Sequence, residues 1–327
     1  MILTSHSALE FWLKLRHKFP QVERAALAPP QSYNERKLKQ FLFRNYELSP
    51  SFELITDKRR DSTLSFKYYR DPDFANIPCV RILDGVLVVT PAYLLAWLAE
   101  RDPDKFYSLL LVACEFCSSF TRANNYNAED ASSGSGLARC RPLLTRASFV
   151  EMVNIARSRR SVNVVKKVAS MLVENAYSPA EIALALRLSM DKKHGGFGLP
   201  KPVLNISIPL KNKNSTVPIR EVRPDLFWPK QKFIFEYDGI RFHSAEEDIQ
   251  QDSVKRNALF KEDYTVLNVT KKQLFNEVDL GELAESLRKV CGRRKDVHKS
   301  LTPDMIFARE TLRRVIFDYV VKGKIFD

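Results

Sequence analysis

The sequence predicts a mixed α/β chain of the α+β kind, with a mainly helical N-terminal region over residues 1–195 and a C-terminal domain over residues 196–327 in which a mixed central sheet is flanked by helices. Three observations carry that reading. The stretch from Val222 to Val269 alternates strand and helix patterns as one compact β-β-α-β unit. The first half contains helix-start signals, the clearest being Thr90-Pro91 and Ser178-Pro179-Ala180-Glu181. Between the halves, LSMDKKHGGFGLPKPVLN breaks periodicity with Gly195, Gly196 and Gly198. At 327 residues and 45% hydrophobic content there is length and apolar material for two packed cores.

Taken in order, the first residues, MILTSHSALEFW, run into an amphipathic pattern in place of a secretory leader, with Ser7 and Glu10 spaced as a capping box. Val86 to Val89 reads as a strand, after which Thr90 caps and Pro91 opens a helix to about Glu100. Leu109 to Phe120 is an apolar helix. Its Cys114 and Cys117 form a CxxC that no second CxxC or His pair completes, so both are assigned to packing rather than zinc. Five cysteines, an odd and small number, point to free thiols in a reducing, cytoplasmic compartment. Ala123 to Arg139, rich in Asn, Ser and Gly, reads as a mobile loop. Helices follow over Thr145–Arg160, Val162–Asn175 and from the Ser178 cap to about Ser189.

The glycine-rich joint is either a hinge between domains or a close approach to a ligand, because glycine tolerates backbone angles and contacts that other residues do not. A strand over Val203–Ile208 comes next. At the other end Thr302-Pro303 caps a helix from Asp304 to Val321, whose Ile306, Leu312, Ile316 and Val320 form an apolar stripe suited to the core, a protein partner or a second copy of the chain. No apolar run approaches the length needed to span a membrane.

The chemistry concentrates in the β-β-α-β unit. Lys232 to Asp238 is rich in aromatic and β-branched residues and closes on Gly239, so it reads as a strand. Alternation puts Ile234, Glu236 and Asp238 on one face and Phe233, Phe235 and Tyr237 on the other. Carboxylates on an otherwise apolar strand are costly unless something positive meets them. Asp225, after Pro224 on the preceding extended segment, supplies a third oxygen donor if the two segments pair as antiparallel neighbours. Three converging carboxylates repel one another, and a hard cation, Mg²⁺ (or Mn²⁺), relieves that repulsion while taking its remaining ligands from water and phosphate. Asp225, Glu236 and Asp238 are therefore the expected metal ligands, with His243 as general base or water-orienting group. Asp252 and Arg256, spaced i,i+4 on the helix Glu246–Lys261, could form a supporting pair, although taken alone the spacing favours an ordinary surface ion bridge.

At these residues the sequence resembles the endonuclease-like domains grouped with very-short-patch-repair nucleases, within the wider PD-(D/E)xK superfamily: Pro224-Asp225, Glu236-Tyr237-Asp238-Gly239, His243, then Asp252 and Arg256 on a helix, then the strand Thr265–Val269. The resemblance covers residues 200 to 290, and the full-length layout is similar to bacterial proteins discussed alongside abortive-infection antitoxins. It implies a restriction-endonuclease-type fold, hydrolysis of DNA phosphodiesters, and metal binding by the Asp and the Glu. In the superfamily a lysine two positions after the Glu positions the attacking water, whereas here that position is Asp238. Lys232, on the same strand face as Glu236, is the candidate for a migrated lysine.

Lys plus Arg exceed Asp plus Glu by 52 to 39, a net charge of +13 that favours a polyanionic partner, DNA ahead of other nucleic acids. The densest local run is Arg146, Arg157, Arg159, Arg160, Lys166 and Lys167, relieved only by Glu151. It is the candidate phosphate-contact surface, against the alternative of a solvated helix face. Three functions of different class follow: a metal-dependent nuclease, a DNA-binding regulator with a nuclease-derived fold that does not cut, and an interaction protein whose acids pair internally with Arg223, Arg241 or Arg256.

Overall fold

The computed structural model describes residues 2–15, 35–83, 86–122, 137–210, 221–238, 246–292 and 301–326, and in the helix beginning at Glu246 its side chains are described from Ser253 onward. The chain divides into two units, 1–172 and 173–327. The division falls ahead of the glycine-rich joint rather than at 195, so the helix Pro179–Ser189 belongs with the second unit.

Most of the regular structure described in the first unit is helical, and it also carries a five-stranded sheet of short strands. Its strands are β1 (Ile2–Leu3), β2 (Phe52–Thr56), β3 (Phe66–Arg70), β4 (Cys79–Leu83) and β5 (Val86–Val89), in the order β3-β2-β1-β5-β4. β1 runs antiparallel to β2 and parallel to β5, so the N-terminal residues lie mid-sheet. The helices are α1 (Ser5–Leu15), α2 (Glu35–Tyr46), α3 (Pro91–Arg101), α4 (Phe106–Phe116), α5 (Ser148–Ile155) and α6 (Arg159–Met171). Of this sheet, sequence reasoning found β5 and missed β1, β2, β3 and β4, because short strands beside helical patterns leave little period-2 signal.

Local chemistry explains the details. Thr90 Oγ1 accepts from the Tyr93 N–H and Pro91 opens α3, as its sequence requires. Ser7 and Glu10 form no capping box: the Ser7 hydroxyl accepts from the Glu53 N–H, while Glu10 takes the Lys14 ammonium and the Ser49 N–H. Trp12 is fully buried and its indole N–H donates to the Val89 carbonyl at 2.9 Å, tying α1 to β5. Cys114 lies within α4 and Cys117 is its C-terminal cap, and both are buried. Of the stretch expected as a mobile loop, 123–136 lies outside the described residues, whereas Leu137–Arg139 is a strand, β7, paired with β6 (Phe120–Arg122). The helix expected over Thr145–Arg160 is shorter, ending at Ile155, and α6 starts at Arg159 under a Ser158–Ser161 capping box.

The second unit holds the site. Its helices and strands are α7 (Pro179–Ser189), β8 (Val203–Leu204), β9 (Ile208–Pro209), β10 (Glu221–Val222), β11 (Leu226–Trp228), β12 (Phe233–Asp238), α8 (Glu246–Phe260), β13 (Thr265–Thr270), α9 (Lys271–Phe275), α10 (Glu277–Val290) and α11 (Pro303–Val321). A mixed sheet runs β13-β12-β11-β8; β11 is antiparallel to both neighbours and β13 is parallel to β12. A parallel pair needs a crossover, and α8 supplies it. One face of this sheet packs Ile234 and Phe227 with Leu259 of α8, Ile208 and Val222; the other carries Trp228, Phe233 and Phe235 in edge-to-face contact at 5.2–6.2 Å. The expected strand Val203–Ile208 is broken into β8 and β9.

The glycines prove structural. A Cβ on Gly195, whose φ is +86°, would lie 2.5 Å from the Ala308 carbonyl oxygen of α11, and one on Gly196 would lie 2.1 Å from that of Met190. The joint is therefore a close approach of backbone to backbone rather than a hinge or a ligand contact. Arg187 of α7, 1% exposed, is held by the Leu274 carbonyl and the Glu277 carboxylate. Thr302 caps α11 as the sequence requires; Leu312 and Ile316 of its stripe are buried, but Ile306 is 47% exposed.

Candidate acidic site on the second sheet

The antiparallel register of β11 and β12 decides which acids meet. Leu226 lies opposite Phe235, so the next rung places Asp225 opposite Glu236, and directly opposed residues of an antiparallel pair share a face. Asp225 is fixed there by the Tyr237 backbone N–H, which donates to its Oδ2 at 2.8 Å. Glu236 lies where β12 leaves the core: Phe233, Ile234 and Phe235 before it are fully buried, and its own side chain is 19% exposed.

Burial and the neighbouring Asp225 charge push the Glu236 carboxyl up to about 7, against the opposing pull of Lys255. Lys255, one turn before the end of α8, sets its ammonium 2.9 Å from Glu236 Oε1. Sequence reasoning missed this residue. Its only signal is the crossover itself: a helix joining two parallel strands packs over them, and Lys255 lies one helical turn before Leu259, which reaches the sheet face beside Ile234.

Lys232 is not the migrated lysine. It precedes β12 in a left-handed conformation, φ +49°, and its ammonium donates to the Glu262 carbonyl at 3.0 Å over the Tyr264 ring. Asp238 departs from the three-carboxylate expectation. It ends β12 in solvent, and its Oδ2 accepts from the Asn268 amide of β13 at 2.8 Å. Among the described residues no three His, Cys, Asp or Glu side chains gather closely enough to hold a metal ion. The cluster is therefore a pair of acids with a lysine.

His243 and Arg241 lie outside the described residues, as does the Asp252 side chain; Asp252 belongs to α8 by its backbone, and Arg256 is exposed. The basic run of the first unit is partly committed to structure. Arg157 pairs at 3.1 Å with Asp71, a buried carboxylate that also accepts from the Tyr93 hydroxyl. Arg160 pairs with Asp104 at 2.7 Å, and the Lys167 ammonium stands 4.0 Å from the centre of the Phe106 ring. Arg159 and Lys166 are exposed on α6.

Comparison with protein-family models, with curated proteins and with solved structures returned no match. Within the described residues no helix is long and apolar enough to cross a membrane.

Proposed function

We propose that this chain is a metal-dependent, endonuclease-like protein that hydrolyses phosphodiesters of DNA in its second unit, on a PD-(D/E)xK-like sheet. The observation that carries the reading is Asp225 opposite Glu236 with the Lys255 ammonium 2.9 Å from Glu236. The donor set fits Mg²⁺ or Mn²⁺. Asp225 and Glu236 are two carboxylates beside one lysine, and Mg²⁺ binds through one or two carboxylates while keeping waters and phosphate oxygens. When bound, such an ion supplies a polarised phosphoryl oxygen and a more acidic water.

The chain's own groups do the rest. The Tyr237 N–H orients Asp225, and Lys255 orients Glu236. The Lys255 ammonium, placed from the helix instead of the strand, stands where it can stabilise negative charge growing on a phosphate oxygen. His243 is assigned the general-base role within the same proposal.

One observation favours a second reading, a DNA-binding regulator of antitoxin-like kind that does not cut. Lys255 already pairs with Glu236, so the acids and the lysine can stand as an internal ion network without a metal. Cleavage of supercoiled plasmid and of single-stranded DNA, followed across Mg²⁺, Mn²⁺ and EDTA, separates the two. Glu236→Gln, Asp225→Asn and Lys255→Met are each expected to cut at least about a hundredfold more slowly than wild type. Equal nicking by wild type and Glu236→Gln under every metal condition would remove hydrolysis at this site. Salt-sensitive, metal-independent binding in a gel shift would then leave the regulator.

A further inference from the structure

The carboxyl ends of β12 and β13 open into a cleft of about 1230 Å³, larger than the roughly 300–1,000 Å³ usual for a small-molecule pocket. Its walls come from the end of β12, from α9, and from the first turns of α10 and α11. Ile306 of α11 is 47% exposed there, unlike Leu312 and Ile316 farther along the same helix. Phe275 lines the same cleft, backed edge-on by Phe317 at 5.3 Å. This is an apolar surface left facing water in the second unit, and it asks for a flat apolar occupant.

The charge around it is cationic. Lys271, Lys272, Arg309 and Arg313 line the cleft. Three carboxylates share the lining, Asp238, Glu277 and the exposed Glu310, so the cations are in excess by one; Glu277 is committed to the buried Arg187 and lies 4.0 Å from Arg309. The Nε of Arg309 and the Oε2 of Glu277 are buried without hydrogen-bond partners. Burial, with the smaller effect of the Arg309 and Arg313 charges, pulls the Arg187 pKa down against the stabilising Glu277. Asp238 on the rim is occupied with Asn268.

We propose that this cleft binds an unpaired nucleic-acid strand, with backbone phosphates on Lys271, Lys272 and Arg313 and a base against Phe275 and Ile306. A cationic rim over an apolar, aromatic wall is the arrangement that holds single strands, whose base faces are free to stack. In a duplex those faces are already stacked and cannot reach the wall. Asp238 stands two residues beyond Glu236, about 7 Å along the strand, so the cleft lies next to the acid pair. The inference rests on the hydrolase reading for the strand's continuation to Glu236; binding in the cleft itself requires no cutting.

The test is fluorescence anisotropy of the full chain at low salt in EDTA, with fluorescein-labelled oligothymidylate, the same strand made abasic, and its duplex as probes. Wild type is expected to bind oligothymidylate at least about fivefold more tightly than the abasic strand. Lys271→Glu with Arg313→Glu should weaken binding at least about tenfold and flatten the salt dependence by about two charges. Ile306→Asp should erase the preference for bases. Equal affinity of wild type for the base-bearing and abasic strands, which no folding defect can mimic, would overturn the proposal, as would a duplex bound as tightly as the strand. Normal strand binding by a chain that never cuts would retire the hydrolase reading and leave the cleft standing.

Discussion

Replacing Glu53 tests whether the first unit is built on a buried carboxylate. Glu53 sits on β2, 5% exposed, where its Oε2 accepts from the His6 backbone N–H at 2.8 Å and lies 3.1 Å from the His6 ring, while Oε1 accepts from the Tyr69 hydroxyl at 3.0 Å. Burial alone would raise its pKa; hydrogen bonds from the His6 ring, Ser5 and the His6 N–H, with the His6 charge, outweigh burial and bring it down to about 2 from 4.5. The folded value is depressed. Its stabilisation is therefore present in full above 4.5 and is lost as the pH falls from there through about 2. At about 1.36 kcal/mol per pH unit this displacement corresponds to about 3 kcal/mol. Glu53→Gln should lower the urea stability of the first unit by up to that amount at neutral pH, and the gap from wild type should close towards the acid end of the window. Tryptophan fluorescence is a suitable readout, since Trp12 and Trp97 both belong to this unit. A gap that does not change with pH would refute the assignment of the stabilisation to the ionised carboxylate.

Three substitutions probe packing inside each unit by itself. Arg157→Ala should cost about 1–3 kcal/mol, towards the lower end because the arginine is half exposed, by depriving buried Asp71 of its cation, whereas Lys166→Ala should stay within about 0.5 kcal/mol in the same melt. Equal stability of the two variants would show that Arg157 is a solvated charge. Gly196→Ala should destabilise the second unit by about 2 kcal/mol or more, read by thermal melting at Trp228, because its Cβ would collide with the backbone of Met190. A wild-type melting temperature would show that the joint yields.

The legible parts were those in which a local rule acts alone. Thr90, Ser178 and Thr302 announce three helix starts by cap chemistry that needs no tertiary partner. The β12 strand and its parity follow from alternation, and Asp225 meets Glu236 because the antiparallel register is short and fixed. What remained hidden depends on distant partners. β1 is two residues long and is a strand because β2 and β5 flank it. Ser7 and Glu10 have the spacing of a capping box, but Glu53 and Ser49 compete for their oxygens. Lys232 has the parity for the site, yet the turn before β12 sends it to Glu262. Asp238 has the parity as well, but Asn268 of the neighbouring strand engages it.

The positive charge at Glu236 arrives from a helix, 19 positions downstream, and not from the strand that bears the acid. A crossover can lengthen or shorten without disturbing the ladder beneath it, so the offset between these two residues is free to vary while the ångström separation stays fixed. Any linear signature that demands a lysine at a set place after the glutamate will pass over such chains. The quantity to search for is a distance.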